Sequence, residues 1–437
     1  MPDNLVVIPW GKDSLTIPLP DQWELLGTME PAPTSAPKNI QQEIERSLLK
    51  PIGLPRLSEL AKPGMKIALV IDDDSRPTPV GLILPAVLAE IRHGGANLDQ
   101  ITVVPATGVH YPMSEAAIAG RVGEKILSGL SWESHNCDSP EKLASLGTTK
   151  RGTPVFMNKI VAESDLIVSV GCIEPHIIAS FGGGYKNLVP GVAGRATIAH
   201  NHSLNCRPNT FNSVGQPIES NPMRMDLEEA AGMLKTPVFI INAVLNSRLE
   251  VVRVVCGHPV AAHREGVRTS SQIYGAAIPS LADVVISSSH PMDQDLRQGV
   301  KALANTVRAL RPGGVMITCI RADEGVGVFG LANRKLPVGR KALKILAPLI
   351  LLLVPRLKLK GMGEEDRFFL YFALQAMRRG DLLVYAPTIP METQTNLPFV
   401  TFVESFEAGL DHARRKFPRK ANVLVFPHGG STYPILS

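Results

Sequence analysis

Two rhythms of apolar residues alternate along most of the chain. Short, nearly unbroken β-branched runs such as KIALVIDDD (66–74), QITVVPATG (100–108) and SDLIVSVG (164–171) predict strands buried on both faces. Between them lie segments whose apolar positions recur every three or four residues, above all VGLILPAVLAEIRH (80–93), closed by Gly94 and Gly95. Helical patterning returns in ATIAHNHSL (196–204) and RMDLEEAAGMLK (224–235), and PVFIINAVLN and LEVVRVVCG then predict a pair of strands. The pattern restarts with ADVVISSS, a helix through DLRQGVKALANTVRAL, GGVMITCI, the helix FFLYFALQAMRR, DLLVYAP, a helix through ESFEAGLDHARRK, and NVLVF. Such alternation predicts an α/β protein with mostly parallel sheets covered on both faces. The 437 residues exceed what one core usually holds. The stretch TSSQIYGAAIPS loses periodicity, so the chain divides into two α/β domains, 1–272 and 273–437, with the active-site cleft between them.

Composition narrows the function classes. A chain that is 44% hydrophobic and 19% charged folds into a globule. Its net charge of +5 comes from scattered Lys and Arg, the nearest thing to a basic cluster being KLPVGRKALK with RLKLK around an apolar run, without the basic stripe and interleaved aromatics that nucleic acid requires. Five cysteines, odd in number, widely separated and never in a CxxC arrangement, fit neither a disulfide framework nor a zinc ribbon, and point to a reducing cytoplasm. The N-terminus has acids and a turn where an export signal has a positive and then an apolar region. The run ILAPLILLLVP from Ile345 is shorter than the ~20 residues of a spanning helix. It reads as a buried helix or lid element in preference to a monotopic contact, so no membrane partner is expected.

In doubly wound folds ligands bind beyond the carboxyl ends of strands, and several polar groups fall there. Asp73 and Arg76 in DDDSRPTP follow the first strand, and the guanidinium can grip a carboxylate or phosphate through two parallel bonds. The same stretch also suits a helix start, with Pro77 and Pro79 ahead of it. His110 follows the second strand and His176 the third, each a candidate acid or base near neutral pH. In FGGGYKNLVPG (181–191) three glycines let the backbone approach a ligand and turn its N–H groups to an anion, but the spacing is not that of a Walker A loop. His200 and His202 sit two apart in a helical segment, so only one of them can face a site, and periodicity does not choose between them. Arg297, Gln298 and Lys301 follow a strand of the second half, the last two sharing a helix face.

Together these motifs resemble the nickel-dependent lactate racemase family. The resemblance rests on D-x-x-R-P-T-P at Asp73 to Pro79, G-x-H-x-P at Gly108 to Pro112, H…GG-x-K-x-x-x-PG from His176 to Gly191, the later His202, and Q-x-x-K at Gln298 and Lys301. It implies a nickel-pincer nucleotide joined covalently to Lys186, nickel bound by His202, and His110 and His176 as the acid/base pair. It further implies that Arg76, Gln298 and Lys301 hold the substrate, that Asp73 anchors the cofactor or orients Arg76, and that cofactor maturation enzymes are partners. The substrate class is a 2-hydroxy acid, inverted by hydride transfer through a 2-keto acid. Two positions depart from the family pattern: SFGGGYK replaces F-S-G-G-x-K, and Arg297 stands where an aromatic is expected. A second cation there suits a substrate larger or more polar than lactate. The competing readings are a metal-dependent hydrolase using His176, His200 and His202, a non-catalytic cofactor carrier, and Schiff-base chemistry at Lys186.

Overall fold

The structure, a computed structural model, describes residues 5–206, 214–327, 329–336, 338–353 and 364–436. The strands that build it are numbered in chain order: β1 Leu5–Trp10, β2 Asp13–Pro18, β3 Glu24–Thr28, β4 Ile67–Asp72, β5 Ile101–Ala106, β6 Ser131–Trp132, β7 Leu166–Cys172, β8 Val238–Leu245, β9 Val251–Gly257, β10 Ala282–Ser288, β11 Leu310–Cys319, β12 Gly380–Tyr385, β13 Thr401–Phe402 and β14 Asn422–Phe426. Two six-stranded sheets result, in the orders β9-β8-β7-β4-β5-β6 and β13-β12-β11-β10-β14-β3. The second is parallel throughout, and the first is parallel except for the β8–β9 hairpin. Every residue of β4, β7 and β8 is buried, which is why these strands are written as unbroken apolar runs.

Seven helices matter for the site: α1 Val80–His93, α2 Arg195–Ser203, α3 Pro222–Gly232, α4 Ala261–Tyr274, α5 Leu296–Thr306, α6 Arg340–Leu353 and α7 Glu364–Arg379. The N-terminal residues do not stay with the first sheet, where a division at 272 puts them. Val6, Ile8, Ile17 and Trp23 pack against Val284 and Ile286, and β3 pairs with β14. The stretch taken as aperiodic is the end of α4 followed by Gly275–Ile278, which pairs with Tyr433–Leu436. The inward face of α4 is made of His263, Gly266 and Ser270 as well as Ile273, so no apolar stripe announces it. The apolar run from Ile345 lies on α6 and is buried on one face only, through Leu343, Ala347 and Leu351. Its last two residues, 354 and 355, fall outside the described residues. No helix among the described residues is long and apolar enough to cross a membrane.

Candidate active site

The two acids at the end of β4 both line the cavity but have different partners. Asp72 is buried and accepts from the Thr78 hydroxyl and from Arg121. Burial pushes its carboxyl up to about 6 despite that guanidinium. Asp73 turns into the cavity and accepts from the Ser75 hydroxyl at 2.5 Å. Its carboxyl lies below the ordinary range because the His110 hydrogen bond and the charge of Arg76 outweigh burial, which acts the other way. Arg76 forms an ion pair with Glu174, just beyond β7. Burial raises Glu174, but Arg76 and Lys301 reverse the effect and keep it ionised.

Hydrogen bonds fix the two imidazoles in opposite tautomers. His110 Nδ1 is 2.5 Å from Asp73 Oδ2, so the ring donates Nδ1–H and its lone pair sits on Nε2, 3.4 Å from the Arg297 guanidinium. His176 Nδ1 instead accepts the backbone N–H groups of Ile178 and Ala179, both at 3.2 Å, which leaves the proton on Nε2. That Nε2 is 2.8 Å from Lys186 Nζ. A ring that donates there requires the amine to be neutral. Burial, with the Arg76 and Arg224 charges, does push Lys186 well below the usual lysine range, against the pull of Glu174. His176 is likewise lowered, by burial and by the charges of Arg76 and Lys301.

The glycine turn places this lysine. Gly183 and Gly184 have φ of +73° and +64°, and a Cβ on Gly183 would lie 2.6 Å from Ile173 Cγ1. Arg224, fully buried on α3, donates to the Phe181 and Gly183 carbonyls, while His263 Nε2–H reaches the Gly182 carbonyl at 2.8 Å. The loop N–H groups also point inward: Gly182 donates to Glu174 O and Gly184 to the Asn242 side chain. The expectation that these amides face an anion therefore fails at both positions, because the protein uses them to hold the turn.

Periodicity left His200 and His202 equivalent; α2 separates them. His200 Nδ1 meets the Thr153 hydroxyl at 2.7 Å, away from the cavity, whereas His202 lines it. His202 donates Nδ1–H to Ile198 O at 2.9 Å, which puts the lone pair on Nε2. Among the described residues no group of three His, Cys, Asp or Glu side chains is set to hold a metal ion, so the hydrolase reading lacks its ligand set. From the second sheet unit, α5 adds Arg297, Gln298 and Lys301, its N-cap Asp295 accepting from Gln298 N at 2.7 Å. Burial lowers Lys301 against the pull of Glu174. Asp73, Arg76, His110, His176, Lys186, His202, Arg297, Gln298 and Lys301 thus all line one cavity of about 400 Å³. The five cysteines are free, as their spacing led one to expect, and all are buried.

Residues 10–213 match the family described as the lactate racemase N-terminal domain. The lactate racemase of Thermoanaerobacterium thermosaccharolyticum is 32% identical over 329 residues, covering 74% of this chain and 76% of that protein. The chain belongs to the lactate racemase family. A second member, the lactate racemase of Lactiplantibacillus plantarum, is 30% identical over 327 residues, with 74% of this chain and 76% of that one covered. The structure of the lactate racemase apoprotein from T. thermosaccharolyticum superposes with a TM-score of 0.86 at 27% identity, over 99% of this chain and 100% of that one. A Thermotoga maritima protein at 15% identity and TM-score 0.66 shares the fold, over 93% of this chain and 100% of its own. Within this lactate racemase family chain, motif reading missed Glu174 and Arg224. Glu174 carries a signal, since it lies at a strand end two residues before His176. Arg224 carries none, because nothing in RMDLEEAAG marks its arginine as buried.

Proposed function

We propose that this chain is a racemase or epimerase inverting C2 of a 2-hydroxy acid, with a nickel-pincer nucleotide joined to Lys186 and nickel bound by His202. Family membership supports an isomerase of this kind, and one observation carries the finer reading: the Lys186 amine is held 2.8 Å from one imidazole, in the cavity that the other imidazole also lines. The residues fit such a group. Lys186 offers an acylable amine, His202 offers an imidazole nitrogen that suits nickel, and a cavity of about 400 Å³ is within the range of small-molecule sites. When bound, the cofactor would accept the C2 hydrogen as hydride and return it, chemistry that no side chain here supplies.

The chain's own residues manage protons and charge. The C2–H beside an ionised carboxylate is too weakly acidic for a histidine to remove as a proton, and so the base is needed at the hydroxyl. His110 Nε2 takes the hydroxyl proton as C2 loses hydride, giving the planar 2-keto acid. On the opposite face His176 Nε2–H would return a proton to the oxygen as C2 regains its hydrogen, leaving His176 an imidazolate beside the Arg76 and Lys301 charges and His110 an imidazolium, so one O–H and one C–H are broken and both are remade. Arg76 and Lys301 neutralise the carboxylate and Gln298 adds a hydrogen bond. The substrate hydroxyl takes the Arg297 position at His110 Nε2, leaving that guanidinium for a second carboxylate or further hydroxyls. The substrate is therefore larger or more polar than lactate.

Three measurements test this. Intact mass with metal analysis should find a nucleotide adduct and nickel on protein from a host with the maturation enzymes, and the bare chain from a host without them. A panel of D- and L-2-hydroxy acids should show turnover of larger acids, and activity on lactate alone rejects the substrate reading. His110→Ala should retain adduct and metal while losing turnover. A cofactor carrier has no use for the Asp73–His110 pair and would be indifferent to that change.

A further inference from the structure

Helix α6 presents an apolar stripe to solvent. Ile345, Leu346, Leu349, Leu352 and Leu353 are all exposed, Ile345 to 77%. At ~100° per residue these five fall within an arc of about 120°, opposite the arc through which Leu343, Ala347 and Leu351 pack inward. Single exposed leucines mean little, but five on one helix face form a patch of the kind that marks an interaction site. Its charge surroundings are equally unusual. From Arg334 to Lys344 the sequence has five Lys or Arg and no Asp or Glu, as much positive charge as the +5 of the entire chain. Arg334, Lys335 and Lys341 are exposed, and Lys344 lies 3.7 Å from Asp381.

We infer that α6 is a membrane-surface anchor, lying flat in the interface of an anionic lipid bilayer with its leucine stripe among the acyl chains and its flanking cations on the headgroups. Charge complementarity selects this occupant. A second copy of the chain would bring one cationic run against another, whereas an anionic bilayer neutralises each basic group at a gain of ~1 kcal/mol. The expectation of no membrane partner rested on spanning length, and an interfacial helix has no such requirement. Because α6 packs on α7, whose Phe369 lines the catalytic cavity, the anchored helix backs a wall of the site.

Flotation of the full-length protein with phosphatidylcholine vesicles and with phosphatidylcholine–phosphatidylglycerol vesicles tests this directly. The protein should float with the anionic vesicles only and be released by salt. Lys341→Glu should weaken the partition about five-fold or more, from the ~1 kcal/mol per basic group. The double variant Leu349→Glu, Leu352→Glu should stay in the aqueous fraction with unchanged circular dichroism, since both positions are solvent-facing. Equal flotation with neutral and anionic vesicles, or none with either, overturns the anchor. So does a parent dimer in sedimentation velocity that the double variant converts to monomer without any flotation.

Discussion

The neutral state of Lys186 can be measured on the bare chain. Two amide donors on His176 Nδ1 force that ring to donate from Nε2, and Lys186 Nζ, 2.8 Å away, must then accept. An ordinary lysine, with a pKa near 10.4, is only about 0.1% unprotonated at pH 7.4, so full neutrality raises amine reactivity at that pH by at most about a thousand-fold. Protein made without the maturation enzymes would be treated with trace acetic anhydride over about pH 7 to 9 and each lysine quantified by mass spectrometry. Acetylation of exposed lysines should climb about ten-fold per pH unit. Lys186 should react earlier and vary far less with pH. Arg76→Met, which removes a cation that depresses the amine, should move its profile toward higher pH, and Glu174→Gln should move it lower. A Lys186 profile rising in parallel with the exposed lysines refutes the tautomer assignment and the acylable amine together.

The same depression has a stability consequence with a definite sign. Between the lowered pKa of Lys186 and the ordinary lysine value the unfolded chain binds a proton that the folded chain does not, so stability rises with pH across that window. Lys186→Met should therefore raise the melting temperature of the bare chain near pH 7, with the advantage fading toward about pH 10. Asp73→Asn should lower kcat by about 10²–10⁴-fold by releasing the His110 tautomer, with the nucleotide adduct still present by intact mass. Arg297→Tyr should reduce the preference for larger acids over lactate about ten-fold or more, the loss of one charge-assisted bond, as read from kcat/KM ratios.

Legibility followed the periodicity of burial. β4, β7 and β8 were readable because burial on both faces forces continuous apolar runs. The end of α4 was not, because Gly266 and Ser270 let it pack closely without bulky side chains. Pairing of β3 with β14 joins residues about 400 apart, a contact that no local pattern encodes. The cavity residues were legible as strand-end and motif positions, and the choice of His202 came from resemblance until α2 turned His200 to Thr153. What escaped was the layer that sets protonation states. Arg224 on the glycine turn and Glu174 on Arg76 act through tertiary contacts between segments that each look ordinary alone.

That layer makes the two imidazoles unequal, and a racemase has to contend with the inequality. His110 starts as an acceptor at Nε2 and His176 as a donor, each held by groups that need not touch substrate: Asp73 on one side, two backbone amides on the other. One turnover leaves His110 an imidazolium and His176 an imidazolate, a state suited to the opposite enantiomer. With one enantiomer in excess the enzyme must exchange these protons with solvent before each new cycle, and the basicity of an imidazolate favours the original form. At high concentration of either enantiomer alone this reset becomes limiting, while near the racemic mixture the two forms are recycled by substrate itself. Exchange between labelled enantiomers at equilibrium should consequently outpace net one-way racemisation at saturation. Equal rates at every concentration would mean that the tautomers re-equilibrate freely and that the hydrogen bonds fixing them have no kinetic role.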